Sequence, residues 1–215
     1  MQDRGRFFVL YTNNYLNIPS YCDAVSIKPS SPEELKSILP LIDKPLMICG
    51  SGKDEIDAKL LPDFINVLDR ECIISFATEK NYKSIVPSVI NGGHQLVLKT
   101  PIDINLAKEL NILVLEMGLT RDKIIMNTDI GGLGYGYEYG YSMIEKIKLE
   151  KNDEYLSFPI ITEASTEALK TKEATSSEKM AKMYELTSVS GAIAAGADIF
   201  IVHYPENIKI LKGLV

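Results

Sequence analysis

The sequence predicts an α/β fold, a TIM-type (β/α)8 barrel, from three observations. Short apolar runs rich in branched residues recur about eight times, at residues 7–11, 24–27, 46–49, 72–77, 95–98, 124–126, 158–162 and 199–202. The runs are continuous rather than alternating, as strands buried on both faces read. Amphipathic segments lie between most of them, and strand–helix alternation of this length means parallel strands joined by right-handed crossovers. About eight such units select a closed barrel over an open sheet.

The elements follow in order. The first connection, residues 12–23, carries Asn13, Asn14, Asn17, Pro19 and Ser20 and reads as a loop in place of the first helix. Residues 31–41 open with Ser31-x-x-Glu34, a capping-box pattern. Helical spacing continues over 53–68 and 81–90, and Leu106, Leu110, Leu113, Val114 and Met117 form one face of a helix that stops at Gly118. Helices are expected at 139–149, 180–195 and 207–214, whereas the polar stretch 170–182 reads as a mobile loop.

The chain has 215 residues, a mass of 23.9 kDa and 46% hydrophobic residues. That suffices for one sizeable core and is too short for two, so one domain over residues 1–215 is expected. A net charge of -6 and a pI near 5.1 provide no basic surface for a phosphate backbone, which excludes nucleic acid as a partner. The apolar run at 7–11 is far too short for a signal peptide or a membrane span of roughly 20 residues, which points to the cytoplasm. Cys22, Cys49 and Cys72 form no Cys-x-x-Cys pair, and no Asp-x-His-x-x-Gly cobalamin signature is present. The chain alone is therefore expected to bind neither a metal nor a corrinoid, and each thiol reads as a small buried hydrophobe.

On a parallel barrel the functional face is where strands end and the following loops begin. The positions just after the runs are polar almost throughout: Asn13, Asn14, Lys28, Ser51, Thr78, Asn81, Thr100, Asp103, Asn127, Asp129, Glu163 and His203. Such residues also cap helices, and for Asp103 capping and ligand binding are both open. No nucleophile or second histidine pairs with His203 in sequence, so no catalytic residue is assigned, and His94, before a strand, lies on the opposite face. The most unusual stretch is 129–141, Asp-Ile-Gly-Gly-Leu-Gly-Tyr-Gly-Tyr-Glu-Tyr-Gly-Tyr. It lacks the Gly-Lys-Ser/Thr of a phosphate loop and the spacing of a dinucleotide fingerprint. Gly134 and Gly136 flank Tyr135, and with Tyr139 they suggest a surface for a bulky ligand or a protein partner; packing of an irregular loop is the alternative.

The runs TPIDINLAKELNILVLEMGL (100–119), DKIIMNTDIGGLGYGYEYGYSMIEKIKL (122–149) and GADIFIVHYPENIKILK (196–212) resemble the delta-subunit barrel of acetyl-CoA decarbonylase/synthase, the small subunit of its corrinoid iron–sulfur protein. CDAVSIKPSSPEE, LMICGSGKDEID and EKNYKSIVPSVINGG support the same resemblance, which runs in order over nearly the whole chain. It implies a role in methyl transfer in the Wood–Ljungdahl pathway of anaerobes. In that role a large (gamma) subunit carries a 4Fe–4S cluster and the corrinoid (cobalamin), and the barrel mouth helps cover the corrinoid. Gly134, Tyr135, Gly136 and Tyr139 are then the contact with corrinoid or partner. The resemblance extends to pterin-dependent methyltransferases, and implies that Asn81, Asp103, Asn105 and Asn127 sit where those barrels hold a pterin. A methyltransferase of that kind is a further possible partner, and a solitary pterin-binding methyltransferase or an accessory barrel for corrinoid proteins is the alternative role. The chain departs from the family pattern where Asn127-Thr128 replaces Asp-Pro and Glu145-Lys146-Ile147-Lys148 replaces Glu-Arg-Ile-Arg, and it has no tryptophan.

Overall fold

The computed structural model describes residues 5–150 and 152–215. In chain order the elements are β1 (Phe7–Tyr11), β2 (Ala24–Ile27), α1 (Pro32–Ile38), β3 (Leu46–Cys49), α2 (Asp54–Ile65), β4 (Ile73–Ala77), α3 (Tyr82–Gly92), β5 (Gln95–Thr100) and α4 (Ile104–Glu116). They continue with β6 (Ile124–Thr128), α5 (Tyr137–Leu149), β7 (Ile161–Thr162), α6 (Ala164–Ala168), α7 (Glu178–Ala195), β8 (Ile199–Val202) and α8 (Pro205–Lys212). The eight strands form one parallel sheet in the order β6-β5-β4-β3-β2-β1-β8-β7. A parallel bridge between Met126 and Ile160 closes it, with Met126 N donating to Pro159 O at 2.8 Å. The TIM-type barrel is thus borne out, and β1 runs to β2 through residues 12–23 without a helix.

Period-2 alternation divides each strand between two cores. Val9, Ala24, Met47, Val97, Ile125, Ile161 and Ile201 fill the barrel interior. Their neighbours along the strands, such as Phe8, Val25, Ile48, Leu96, Met126 and Phe200, pack outward under the helices. Both faces of the strands are covered, which is why the runs carry no polar alternation.

Several boundaries differ from the sequence expectation for identifiable reasons. β7 is only two residues long because Pro159 has no N–H to give a ladder. β5 and β6 run further than the apolar runs do, since Lys99 pairs with Asn127 and Thr100 with Thr128. Residues 170–182, expected as a loop, instead hold a 3-10 turn at Ala174–Ser176 and the start of α7. Buried Thr171 and Ala174 anchor that turn, and Ser177 Oγ accepts from Met180 N to cap the helix. Helix α5 begins at Tyr137, and Gly136 before it has φ 92°.

Two buried contacts lead to predictions. The Tyr137 hydroxyl donates to Ser188 O at 2.5 Å, and a Cβ at Gly191, one turn along α7, would overlap that hydroxyl. Gly191→Ala should lower stability by about 1–3 kcal/mol, and Tyr137→Phe should recover part of the loss by removing the overlapping oxygen. Thermal unfolding of the two single variants and the double variant measures this coupling. At the other end of the barrel His94 Nδ1 accepts from Cys72 N, burial keeps the His94 pKa low, and burial pushes the Cys72 thiol up to about 11. The folded chain keeps the Cys72 proton to higher pH than the unfolded chain does. Its contribution, on the order of 2 kcal/mol, is complete below the ordinary thiol range and is lost as pH rises towards 11. Cys72→Ala should therefore lose less stability over that alkaline range than the parent chain, as denaturant midpoints at successive pH values would show.

Candidate functional site

Each inward apolar residue of the barrel is followed two positions on by a different kind of side chain on the same face. Val9 leads to Tyr11, Ala24 to Ser26, Met47 to Cys49, Val97 to Lys99, Ile125 to Asn127, Ile161 to Glu163, and Ile201 to His203. The result is a polar and aromatic ring above an apolar plug, at the C-terminal face. All of this ring except Asn127 lines a cavity of about 650 Å³ at the barrel mouth, within the usual range for a small organic ligand. β4 shifts register between Ser75 and Ala77, and both Ser75 and Phe76 reach the cavity wall. Buried Asp57 of α2 fixes the β3–α2 loop by accepting from Ser51 N at 2.6 Å and Gly52 N at 2.9 Å.

Three polar clusters occupy the ring. In the first, Lys99 Nζ donates to Glu163 Oε2 at 2.6 Å, lies 3.2 Å from Asp129 Oδ1 and sits 5.1 Å from the centre of the Phe76 ring. Burial works against the Lys99 ammonium, but the charges and hydrogen bonds of Glu163 and Asp129 outweigh it and hold the pKa above the ordinary lysine value. Asn127 Nδ2 donates to the same Glu163 oxygen at 3.3 Å, while buried Asn127 Oδ1 has no partner among the described residues. In the second, the Cys49 thiol lies 3.2 Å from Ser26 Oγ and 3.4 Å from Ser75 Oγ, and burial raises its pKa, which keeps it protonated. In the third, His203 Nδ1 is 2.8 Å from Ser165 Oγ, which donates to fully buried Glu185 at 2.5 Å. Seven carboxylates against four lysines line the cavity, so the mouth attracts hydrogen-bond donors and cations rather than anions. Among the described residues no three His, Cys, Asp or Glu side chains are grouped to hold a metal ion.

The residues singled out from sequence fall into three groups. Asn127 belongs to the Lys99–Glu163 cluster. Asn81 is buried with Oδ1 accepting from Thr78 N at 2.8 Å, and Asp103 is the N-cap of α4, accepting from Asn105 N and Leu106 N. Asn105 is exposed on the first turn of that helix, and Asn81, Asp103 and Asn105 all lie outside the cavity lining. The third group is the Gly/Tyr loop, with Tyr135 54% and Tyr139 65% exposed. Gly134 and Gly136 have φ of 77° and 92°, and a Cβ at Gly134 meets open space. The glycines that permit close approach are Gly131, Gly132 and Gly140; a Cβ on Gly132 would strike Glu167 O at 2.9 Å. The loop therefore packs on the segment holding Thr166, Glu167 and Lys170, which forms one wall of the cavity.

The sequence profile of the CO dehydrogenase/acetyl-CoA synthase delta subunit family matches residues 19–214. The chain belongs to that family. Among relatives of the delta subunit, it is similar to the acetyl-CoA decarbonylase/synthase complex subunit delta of Methanocaldococcus jannaschii, with 28% identity over 87% of this chain and 50% of the relative. It is also similar to the subunit of the same name from Methanothermobacter thermautotrophicus, with 25% identity over 95% of this chain and 56% of the relative. The chain thus spans about half the length of the curated delta subunits it matches. Among solved structures, the dihydropteroate synthase of Thermus thermophilus in complex with 4-aminobenzoate shares the fold at TM-score 0.65 and 11% identity, covering 99% of this chain and 94% of that one. The Coxiella burnetii enzyme in complex with pteroic acid does so at TM-score 0.68 and 10% identity, covering 98% and 92%.

Sequence reading missed Lys99, Ser165 and Glu185 as site residues. Lys99 shares the inward face with Gln95 and Val97 in β5, and Glu185 sits on the buried face of α7 with Ala181, Ser188, Val189 and Ala192. A charge at an inward strand position and on a buried helix face was the available signal for Lys99 and Glu185, and Ser165 offered none. Asn127 suits this chain because an amide donates to Glu163 and a carboxylate would repel it. Asn127→Asp should lower stability by about 1–3 kcal/mol at neutral pH. Denaturant titrations of the two chains at pH 7.5 check both the size and the sign.

Proposed function

We propose that this delta-subunit barrel supports methyl transfer between a methyltetrahydropterin, a corrinoid and an acetyl-CoA synthase centre, as one domain working in the cytoplasm beside a large corrinoid iron–sulfur subunit. The observation that carries the reading is the ring of strand-end polar side chains around the mouth cavity, flanked by the exposed tyrosine loop, in a chain of this family. No helix among the described residues is long and apolar enough to cross a membrane, which is consistent with the proposed compartment. The relatives are named as subunits of a complex, which supports a partner.

A cavity of about 650 Å³ suits a pterin and is too small to enclose a corrinoid macrocycle. A corrinoid carried by the partner would lie across the mouth and the adjoining loop, where exposed Tyr135 and Tyr139, outside the cavity lining, offer flat apolar faces with a polar tip. Bound there, it supplies the cobalt chemistry of taking and giving a methyl group. The barrel's own part is to shield that surface from water and to hold donor groups against Glu163 and Asp129. The cavity itself favours a second reading, a barrel that binds a methyltetrahydropterin directly, because its acid-rich lining accepts the amino and ring N–H groups of a pterin.

Calorimetric titration with 5-methyltetrahydrofolate, and with cobalamin in the presence and absence of the large subunit, separates the two. Cobalamin affinity that arises only with the large subunit supports the first reading; methyl transfer by the chain alone overturns it in favour of the second. Gly134 and Gly136 are poor sites for the loop test, since a side chain at positive φ adds strain of about 1–2 kcal/mol by itself. Tyr135→Ala and Tyr139→Ala leave the backbone alone and should each weaken large-subunit binding by about 2 kcal/mol at unchanged melting temperature. Unchanged binding in both removes the loop from the interface.

A further inference from the structure

Glu185 is fully buried on α7, yet its carboxylate is surrounded by donors from four residues. His203 N and Ser165 Oγ reach Oε1 at 2.6 and 2.5 Å, and Tyr204 N and Asn207 Nδ2 reach Oε2 at 3.1 and 2.9 Å. Amide nitrogens can only donate, so both oxygens act as acceptors and the Ser165 hydroxyl must spend its one proton on Glu185. Ser165 Oγ therefore accepts at its other contact, 2.8 Å away, and His203 must carry its proton on Nδ1. In the neutral ring that leaves the Nε2 lone pair free. Nε2 makes no hydrogen bond among the described residues and is not enclosed, and the His203 ring, 5.0 Å from the ring of Tyr11, forms part of the cavity wall. Ser165 is itself fully buried, which excludes it as a nucleophile and leaves it as the link between Glu185 and the imidazole.

We propose that His203 Nε2 is the ligand-facing hydrogen-bond acceptor of the mouth cavity, taking an N–H or O–H group of a donor-rich heterocycle such as a reduced pterin, with Ser165 and Glu185 as the positioning residues that fix its tautomer. This deepens the reading in which the chain's own cavity takes a pterin, and rests on it. His203 and the Glu163–Asp129 pair stand on different strands of the ring, so a bound ring system would meet acceptors from more than one side. An anion has no such welcome at a lone pair.

Long-range nitrogen–proton NMR of the full chain at pH 8 tests the tautomer without any ligand. His203 should show a protonated Nδ1 and an unprotonated Nε2; the opposite tautomer overturns the proposal. Ser165→Ala removes the acceptor at Nδ1 at almost no change in shape, and should let the other tautomer appear while the chain stays folded. An unchanged tautomer and unchanged affinity in that variant overturn the positioning role. Titration with 5-methyltetrahydrofolate should shift the His203 Nε2 signal, and His203→Phe, which keeps a ring against Tyr11, should weaken binding about tenfold. Binding that shifts the Lys99 signals but leaves Nε2 and the His203→Phe affinity untouched sinks this proposal and leaves the pterin reading standing. If no mouth signal moves at saturating probe, both fall and the subunit reading remains.

Discussion

Closure of the sheet between β6 and β7 is the constraint on which the mouth depends. Seven strand pairs of the barrel are joined by ladders of two or more residue pairs, but this last seam rests on the Met126–Ile160 bridge and the bond from Met126 N to Pro159 O. Asp198 reinforces it from the other side, accepting from Ile160 N at 2.7 Å and from Lys148 Nζ at 2.5 Å, while its own N–H donates to Ile160 O at 2.9 Å. With the seam closed, Asn127 from β6 and Glu163 from the end of β7 lie at hydrogen-bond distance across it. An open edge would leave the Lys99–Glu163 pair in water, where such a contact contributes little.

The ring above the plug is a compromise between folding and binding. Apolar side chains at Val97, Ile125 and Ile161 would be satisfied by more of the same two residues on. Instead the strands place Lys99, Asn127 and Glu163 there, where Glu163 accepts from both Lys99 and Asn127 and Lys99 also pairs with Asp129. Asn127 Oδ1, without a partner among the described residues, shows that the cluster is not fully satisfied from within. Such incompleteness costs stability and is expected where a surface is kept for something other than packing.

The barrel was legible because its strands are apolar on both faces and its helices carry regular stripes. The sites of strand ends were legible too, but not their content. Lys99 and Asn127 extend their strands as ladder-paired residues one position beyond the apolar runs; Asn127 was singled out there and Lys99 was not. Asp103 and Asn81 looked equally suited to capping and to binding, and their carboxylate and amide oxygens turned inward to backbone N–H groups. Glu185 is 20 residues from Ser165 and 18 from His203, so only the closed barrel brings the three together. Gly134 and Gly136 owe their identity to backbone conformation, whereas Gly131, Gly132 and Gly140 owe theirs to crowding.

The enclosure of Glu185 has a consequence for how this chain can change over time. A buried charge held by fixed donors is unevenly sensitive to loss, because removing one donor leaves three on the carboxylate whereas removing the carboxylate strands several N–H groups at once. Positions 165, 185 and 207, whose side chains meet in these bonds, are therefore linked in substitution across α6, α7 and α8, while the donors at 203 and 204 are backbone N–H groups that any residue but proline supplies. Loss of Glu185 is the costly step, so descendants are expected to change residue 185 only together with its side-chain partners.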